Sequence, residues 1–330
     1  MYNITDVFHN LRPVEGEKYQ PRLELSVFYA MQRVKRKRGW LRRLLRTFIG
    51  LIIFFIIACF VFDHYVQFRK GDEAMNKFFS ENHIPGKISY YTSYGRKIRY
   101  VSIGNDSLPV LLMIHGAPSS LSNYRFRYRD STMLRTFKML AVDRPGYGYS
   151  GFGDPEPSIQ KQSEIIRPLL DSLHKARHPI IIAGASFGAP IACRLAMDHP
   201  DLVDGLILTG PALAPGKEKV FWFSRIIEHW WVRWFIPRMF KSANTEKLRH
   251  KEELEKMLPY WKNIHVPVMY LQGENDKLID TSNASFARKQ LVNVPYFETY
   301  FFPNRGHYLG RGQWPVIRNY IMKLYEMVKK

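Results

Sequence analysis

Ser186 stands in Gly184-Ala185-Ser186-Phe187-Gly188, where the apolar run IIIAGA ends and the helical pattern APIACRLAMDHP begins. A hydroxyl at such a corner is either a satisfied turn residue or a nucleophile. It is a poor nucleophile unless a base takes its proton, and a neutral imidazole oriented by a carboxylate is the usual partner. PNRGHYLG, residues 303–310, supplies His307 on a glycine-flanked loop. QGENDKLID, residues 272–280, supplies Asp276 just past an apolar run, with Glu274 and Asp280 close enough to compete for the same role.

These residues need a scaffold. Continuous apolar runs read as strands buried on both faces: VLLMIHG (110–116), FKMLAVD (137–143), IIIAGA, VDGLILTG (203–210) and VPVMYLQG (266–273). ISYYTSYG and KIRYVSIG read as a hairpin before them, and PYFETYFF as a last strand. Helical periodicity appears at 158–176, after Ser186, and in the closing QWPVIRNYIMKLYEMVKK. The alternation predicts an α/β architecture with a mostly parallel central sheet and helices on both faces. Residues 211–260, with FWFSRIIEHWWVRWFIPRMF, are too long for an ordinary loop and are expected to form a helical cap.

Four motifs in this order resemble the α/β-hydrolase family over roughly residues 85–330. Gly-x-Ser-x-Gly between strand and helix is similar to its nucleophile elbow, and Ser, Asp, His is its chain order. His115-Gly116-Ala117-Pro118 resembles its HGxP turn, and Asp143 to Ser150 its D-x-x-G-x-G-x-S segment. The resemblance implies Ser186 as nucleophile, His307 as base and then acid, and Asp276 as the orienting carboxylate. It favours Asp276 over its neighbours because GEND matches the family's acid position, a turn-forming context. It implies an oxyanion hole from the backbone N–H groups of Ala117 and Phe187, and a structural role for His115. Family members with epoxide hydrolase or dehalogenase activity attack with an aspartate at the elbow, so Ser186 points away from those reactions. HGAP also differs from the HGGP turn of proline iminopeptidase-like members. The expected activity is cleavage of an ester, thioester or lipid ester of an apolar substrate. The alternatives are a non-catalytic binding domain or a carbon–carbon bond hydrolase or haloperoxidase-like member. No cofactor is expected. If the cap lies over the strand ends, Phe221, Trp222, Trp230, Trp231, Trp234 and Phe235 are expected to form or flank an apolar pocket. Arg225, Arg233, Arg238 and Lys241 are then placed to meet anionic head groups.

Outside the hydrolase-like region, residues 47–62, TFIGLIIFFIIACFVF, carry no charge. As a helix they span about 24 Å, and flanking apolar residues extend this toward the ~30 Å of a bilayer core. KRKRGWLRRLLR, residues 35–46, precedes them with seven basic residues. A single-pass anchor at 44–66 is expected, with residues 1–43 cytoplasmic and the catalytic domain on the opposite side. The expected segments are therefore 1–43, 44–66, core 67–210, cap 211–260 and core 261–330. The formal charge of +20 over 330 residues is spread along the chain and suits an anionic surface or ligand. No nucleic-acid motif and no metal-ligand spacing occur, and Cys59 and Cys193 are not expected to pair.

Overall fold

The computed structural model describes residues 21–174 and 178–329. Residues 1–20 of the cytoplasmic segment expected over 1–43, and the end of the helix expected at 158–176, lie outside the described residues. The chain divides into two units, Met1–Ala58 and Cys59–Lys330. The described part of the first is helical, within the 45-residue helix α1 (Pro21–Tyr65), whose most apolar stretch has none of its residues buried. Helices of nine residues or more are numbered here, the rest being short turns.

The second unit is built on one eight-stranded sheet. In chain order its strands are β1 (Gly86–Ser93), β2 (Arg96–Ile103), β3 (Val110–Ile114), β4 (Lys138–Val142), β5 (Ile180–Ala185), β6 (Gly205–Thr209), β7 (Val268–Gly273) and β8 (Phe297–Phe302). Their spatial order is β1-β2-β4-β3-β5-β6-β7-β8, antiparallel only where β2 meets β1 and β4. The expected hairpin is β1–β2, closed at Tyr94-Gly95 with left-handed φ at both residues. Every residue of β3 and β6 is buried, as the continuous apolar runs predict for strands covered on both faces.

Two apolar clusters hold the layers together, one on each face of the sheet. Helices α3 (Ile159–His174) and α4 (Gly188–Asp198) supply one, and α2 (Asp72–Glu81) and α7 (Trp314–Val328) the other. Helices α2 and α6 (Ser282–Gln290) are additions to the sequence reading. Between β6 and β7 lie two four-residue helical turns, Ser224–Ile227 and Trp230–Arg233, and the long helix α5 (Arg238–Met257). Cys59 and Cys193 are both free thiols.

The chain runs from β3 to β4 on one side, then crosses to β5 on the other. In open α/β sheets the crevice at such a reversal, outside the C-terminal strand ends, is where ligands bind. Ala117 follows β3 there and Ser186 follows β5.

Candidate active site

Ser186 is the first residue after β5 and has φ 51°, a left-handed conformation that costs a side-chain-bearing residue of order 1–3 kcal/mol. The strain is held by its surroundings. Its N–H donates to the Thr209 carbonyl at 2.9 Å, and its carbonyl accepts from Ala189 N–H at 3.0 Å as α4 begins. Gly188 in the same pentad and Gly116 after β3 are required by close approach. A Cβ on Gly188 would strike the Ile114 carbonyl of β3, and one on Gly116 would lie 2.9 Å from Ser186 Cβ. Two backbones can therefore meet beside the hydroxyl only without those side chains.

His307 reaches this hydroxyl from the loop after β8. Its Nε2 lies 3.0 Å from Ser186 Oγ, and its Nδ1 lies 2.8 Å from Asp276 Oδ2. Asp276 projects from the turn after β7. Its Oδ1 accepts from the Leu278 and Ile279 amides, each at 2.9 Å, and Oδ2 also accepts from Gln272 Nε2 at 3.2 Å. Burial acts to raise its pKa, but the His307 hydrogen bond and the two amides outweigh it, so the carboxyl sits below its ordinary value. The two neighbouring carboxylates are engaged elsewhere. Glu274 accepts from Asn304 N–H, and Asp280 from Ser282 N–H.

His115 is buried beneath the turn after β3. Its Nε2 accepts from Arg144 N–H at 3.0 Å, so Nδ1 carries the proton and donates to the Gly116 carbonyl at 2.7 Å. Burial, with Arg144 beside it, holds its pKa well below the ordinary imidazole value. A neutral imidazole in this position braces the Gly116-Ala117 turn. Ala117 joins Pro118 through a cis peptide. Phe187, the other residue expected to offer an amide, is the N-cap of α4 and is buried.

A cavity of roughly 400 Å³ opens at Ser186. Its walls include Phe68, Pro118, Tyr124, Phe126, Arg127 and Leu309. The six cap aromatics expected to line it do not. Trp222, Trp230 and Trp234 are 82%, 79% and 73% exposed, Trp231 and Phe235 are exposed as well, and Phe221 stacks on Phe223. Trp230 and Trp231 sit on a helical turn of only four residues, and the other four lie outside both turns, so no continuous helix face carries them inward. Two of the cations expected to meet head groups are also paired, Arg233 with Glu228 and Arg238 with Asp63.

Polar residues on α5 seat the insert instead. Glu246 accepts both arms of the Arg144 guanidinium, at 2.8 and 3.0 Å, and also bonds Tyr147 Oη at 2.7 Å and Gln162 Nε2 at 2.9 Å. His250 packs its ring on Phe187 with centroids 4.1 Å apart, and its Nε2–H donates to the Ala212 carbonyl. Burial pushes that imidazole down to about 3, so it is neutral. Asp143 accepts the Leu121 and Tyr149 amides and pairs with Arg99, tying the D-x-x-G segment to the turn after β3. Sequence reasoning missed Glu246, His250 and the wall residues Phe68, Tyr124 and Arg127. Only Arg144, inside a recognised motif, carried any signal for this network.

A family model described as the alpha/beta hydrolase fold matches residues 109–235. The chain has the α/β-hydrolase fold. Among curated proteins, it is 29% identical to a 1-acylglycerol-3-phosphate O-acyltransferase of Arabidopsis thaliana over 174 residues. That match covers 47% of this chain and 41% of the plant protein, so the chain spans about two fifths of that relative's length. It is 21% identical to human epoxide hydrolase 4 over 289 residues, covering 69% of this chain and 75% of the human one. Among solved structures, a bacterial membrane phospholipase A superposes with a TM-score of 0.59 at 19% identity, covering 86% of this chain and 98% of that one, a likeness of fold.

Proposed function

We propose that the chain is a serine hydrolase of acyl esters of largely apolar substrates. One observation carries this reading: an unbroken hydrogen-bond chain from Asp276 through His307 to Ser186 Oγ, ending on a strained corner at the mouth of a cavity. In this mechanism His307 Nε2 takes the Ser186 proton as Oγ attacks the ester carbonyl. The amides of Ala117 and Phe187 stabilise the developing oxyanion, aided by the N-terminus of α4 behind it. His307 then returns the proton to the leaving alcohol, leaving an acyl-Ser186 ester that water hydrolyses by the same steps reversed. Asp276 holds the imidazole in the working tautomer and stabilises its cation. A carboxylate at the elbow would form an alkyl ester with an epoxide. A serine there suits acyl transfer, and the likeness to a protein named as an O-acyltransferase supports acyl chemistry.

The same reading holds the enzyme at a membrane. Helix α1 contains an apolar stretch long enough to cross one, its residues are not buried, and a block of basic residues precedes it. Residues 44–66 are then the anchor, 67–210 and 261–330 the catalytic core, and 211–260 the cap. The basic flank puts residues 1–43 on the cytoplasmic side and the core on the other.

The test is pre-steady-state turnover of p-nitrophenyl butyrate by the full chain in neutral detergent. A burst of nitrophenol matching the enzyme concentration, absent from Ser186→Ala, supports the acyl-enzyme. Turnover that Ser186→Ala retains contradicts it.

A further inference from the structure

Arg127 is out of place for a surface-loving residue. It is 93% buried by its 7% exposure, it lines the Ser186 cavity, and no carboxylate pairs with it among the described residues. Its Nε has no hydrogen-bond acceptor. The guanidinium lies against the rings of Tyr124, Trp314 and Phe126, at 4.6, 5.0 and 5.4 Å. Those rings offset part of the desolvation cost but give its N–H donors no acceptor. The Tyr124 hydroxyl, on another wall residue of the same cavity, is also buried without a partner. Arg99 and Arg144 also leave Nε without an acceptor, so what sets Arg127 apart is a guanidinium on a cavity wall with no carboxylate to answer its charge.

The neighbourhood has the same sign. A second cavity of roughly 420 Å³ shares Asn123, Phe126 and Tyr308 with the first and is lined by Arg125, Arg129 and Arg311. No Asp or Glu lines either cavity. The other buried arginines among the described residues each answer to a carboxylate: Arg99 to Asp143 and Asp72, Arg144 to Glu246, Arg194 to Asp198.

We propose that Arg127, with the Tyr124 hydroxyl, binds an anionic oxygen group on the substrate, so that the ester cleaved at Ser186 carries a phosphate or carboxylate. This rests on the serine hydrolase reading and names the substrate class of that site. A planar guanidinium suits both groups, which it grips through two parallel N–H bonds. The apolar walls Phe68, Pro118 and Leu309 then take the uncharged part, making the substrate an anionic amphiphile.

Two readouts test this on the full chain in neutral detergent. The first needs no turnover: binding of 1-oleoylglycerol 3-phosphate and of 1-oleoylglycerol to Ser186→Ala. The second compares kcat/KM for p-nitrophenyl hemisuccinate and p-nitrophenyl valerate, placing the charge on the acyl side. The anionic member of at least one pair is expected to be preferred by about tenfold to a hundredfold, the scale of a charge-assisted hydrogen bond. Arg127→Met should abolish that preference, and Arg127→Lys should keep part of it. The pair that shows it tells whether the anion sits on the alcohol or the acyl side. No preference in either pair, or a preference surviving Arg127→Met, overturns the proposal. Because no-preference is read on protein with Arg127 intact, a misfolded variant cannot shield it. Hydrolysis of the valerate without anion preference sinks this inference alone, whereas anion binding without hydrolysis sinks the hydrolase reading alone.

Discussion

The strand ends and the insert between β6 and β7 solve opposite problems. At the ends of β5, β7 and β8, three side chains from distant parts of the sequence meet within 3.0 Å of one another in succession. Each is delivered by a turn or short loop that follows a strand of the same sheet, so the sheet sets the geometry. The insert has no strand beneath it. It is seated by α5 through Glu246 and His250, while its aromatics face outward. Precision therefore resides in the sheet, and the insert is a separately anchored segment whose exposed aromatics do not line the cavity.

That contrast is breakable, most sharply at the strand ends. Ser186→Ala or His307→Ala should lower kcat on p-nitrophenyl butyrate by about 10⁴–10⁶-fold with the fold retained, and the double mutant should be no worse than either single one. Asp276→Asn should cost about 10⁴-fold, because the amide no longer fixes the working tautomer. Glu274→Gln and Asp280→Asn, whose carboxylates are bonded elsewhere, should cost little. A loss at either of those with Asp276→Asn unaffected would redraw the site.

Disturbing the seat of the insert should act on stability first. Glu246→Gln leaves the Arg144 cation buried without its charge partner, and breaking such a pair costs about 3–5 kcal/mol. Denaturant unfolding of the full chain in detergent should show that loss. The exposed tryptophans mark the other extreme: Trp222→Ala or Trp230→Ala should shift stability by no more than about 0.5 kcal/mol. Kinetics on a small soluble ester should not change, since neither ring lines the cavity.

A smaller effect follows from Asp276. Its pKa is lowered in the folded state, with an unfolded value near ~3.9. The folded protein then binds fewer protons than the unfolded one between the two values, so the stabilisation is fully present above about pH 4 and fades as pH falls through the lower, folded value. In the Ser186→Ala background, the stability gap between Asp276 and Asp276→Asn should shrink as pH falls below about 4. A gap that widens below pH 4 would reverse the sign of the shift.

How legible these regions are from sequence follows the same divide. Continuous Val/Ile/Leu runs announce a doubly covered sheet, and a strand-to-helix corner at Gly-x-Ser-x-Gly announces Ser186, because both are local patterns. Asp276 and His307 were readable once chain order was used. The insert was not readable in this way. Trp230, Trp231 and Trp234 look like a pocket by composition, but which face a four-residue turn buries depends on what lies below it. Glu246 stands among Thr245 and Lys247 like any surface glutamate, and its partner Arg144 is 102 residues away. Arg127 likewise sits in RFRYR as one of several arginines, and only packing distinguishes the buried one.

The account stands on Ser186 being an activated nucleophile. The most direct measurement is labelling of the full chain in detergent with a fluorophosphonate, followed by intact mass and peptide mapping. One phosphonyl adduct on Ser186, lost in Ser186→Ala and slowed by orders of magnitude in His307→Ala, is the predicted result. No adduct on the folded wild-type chain, or an adduct that persists in Ser186→Ala, would contradict it.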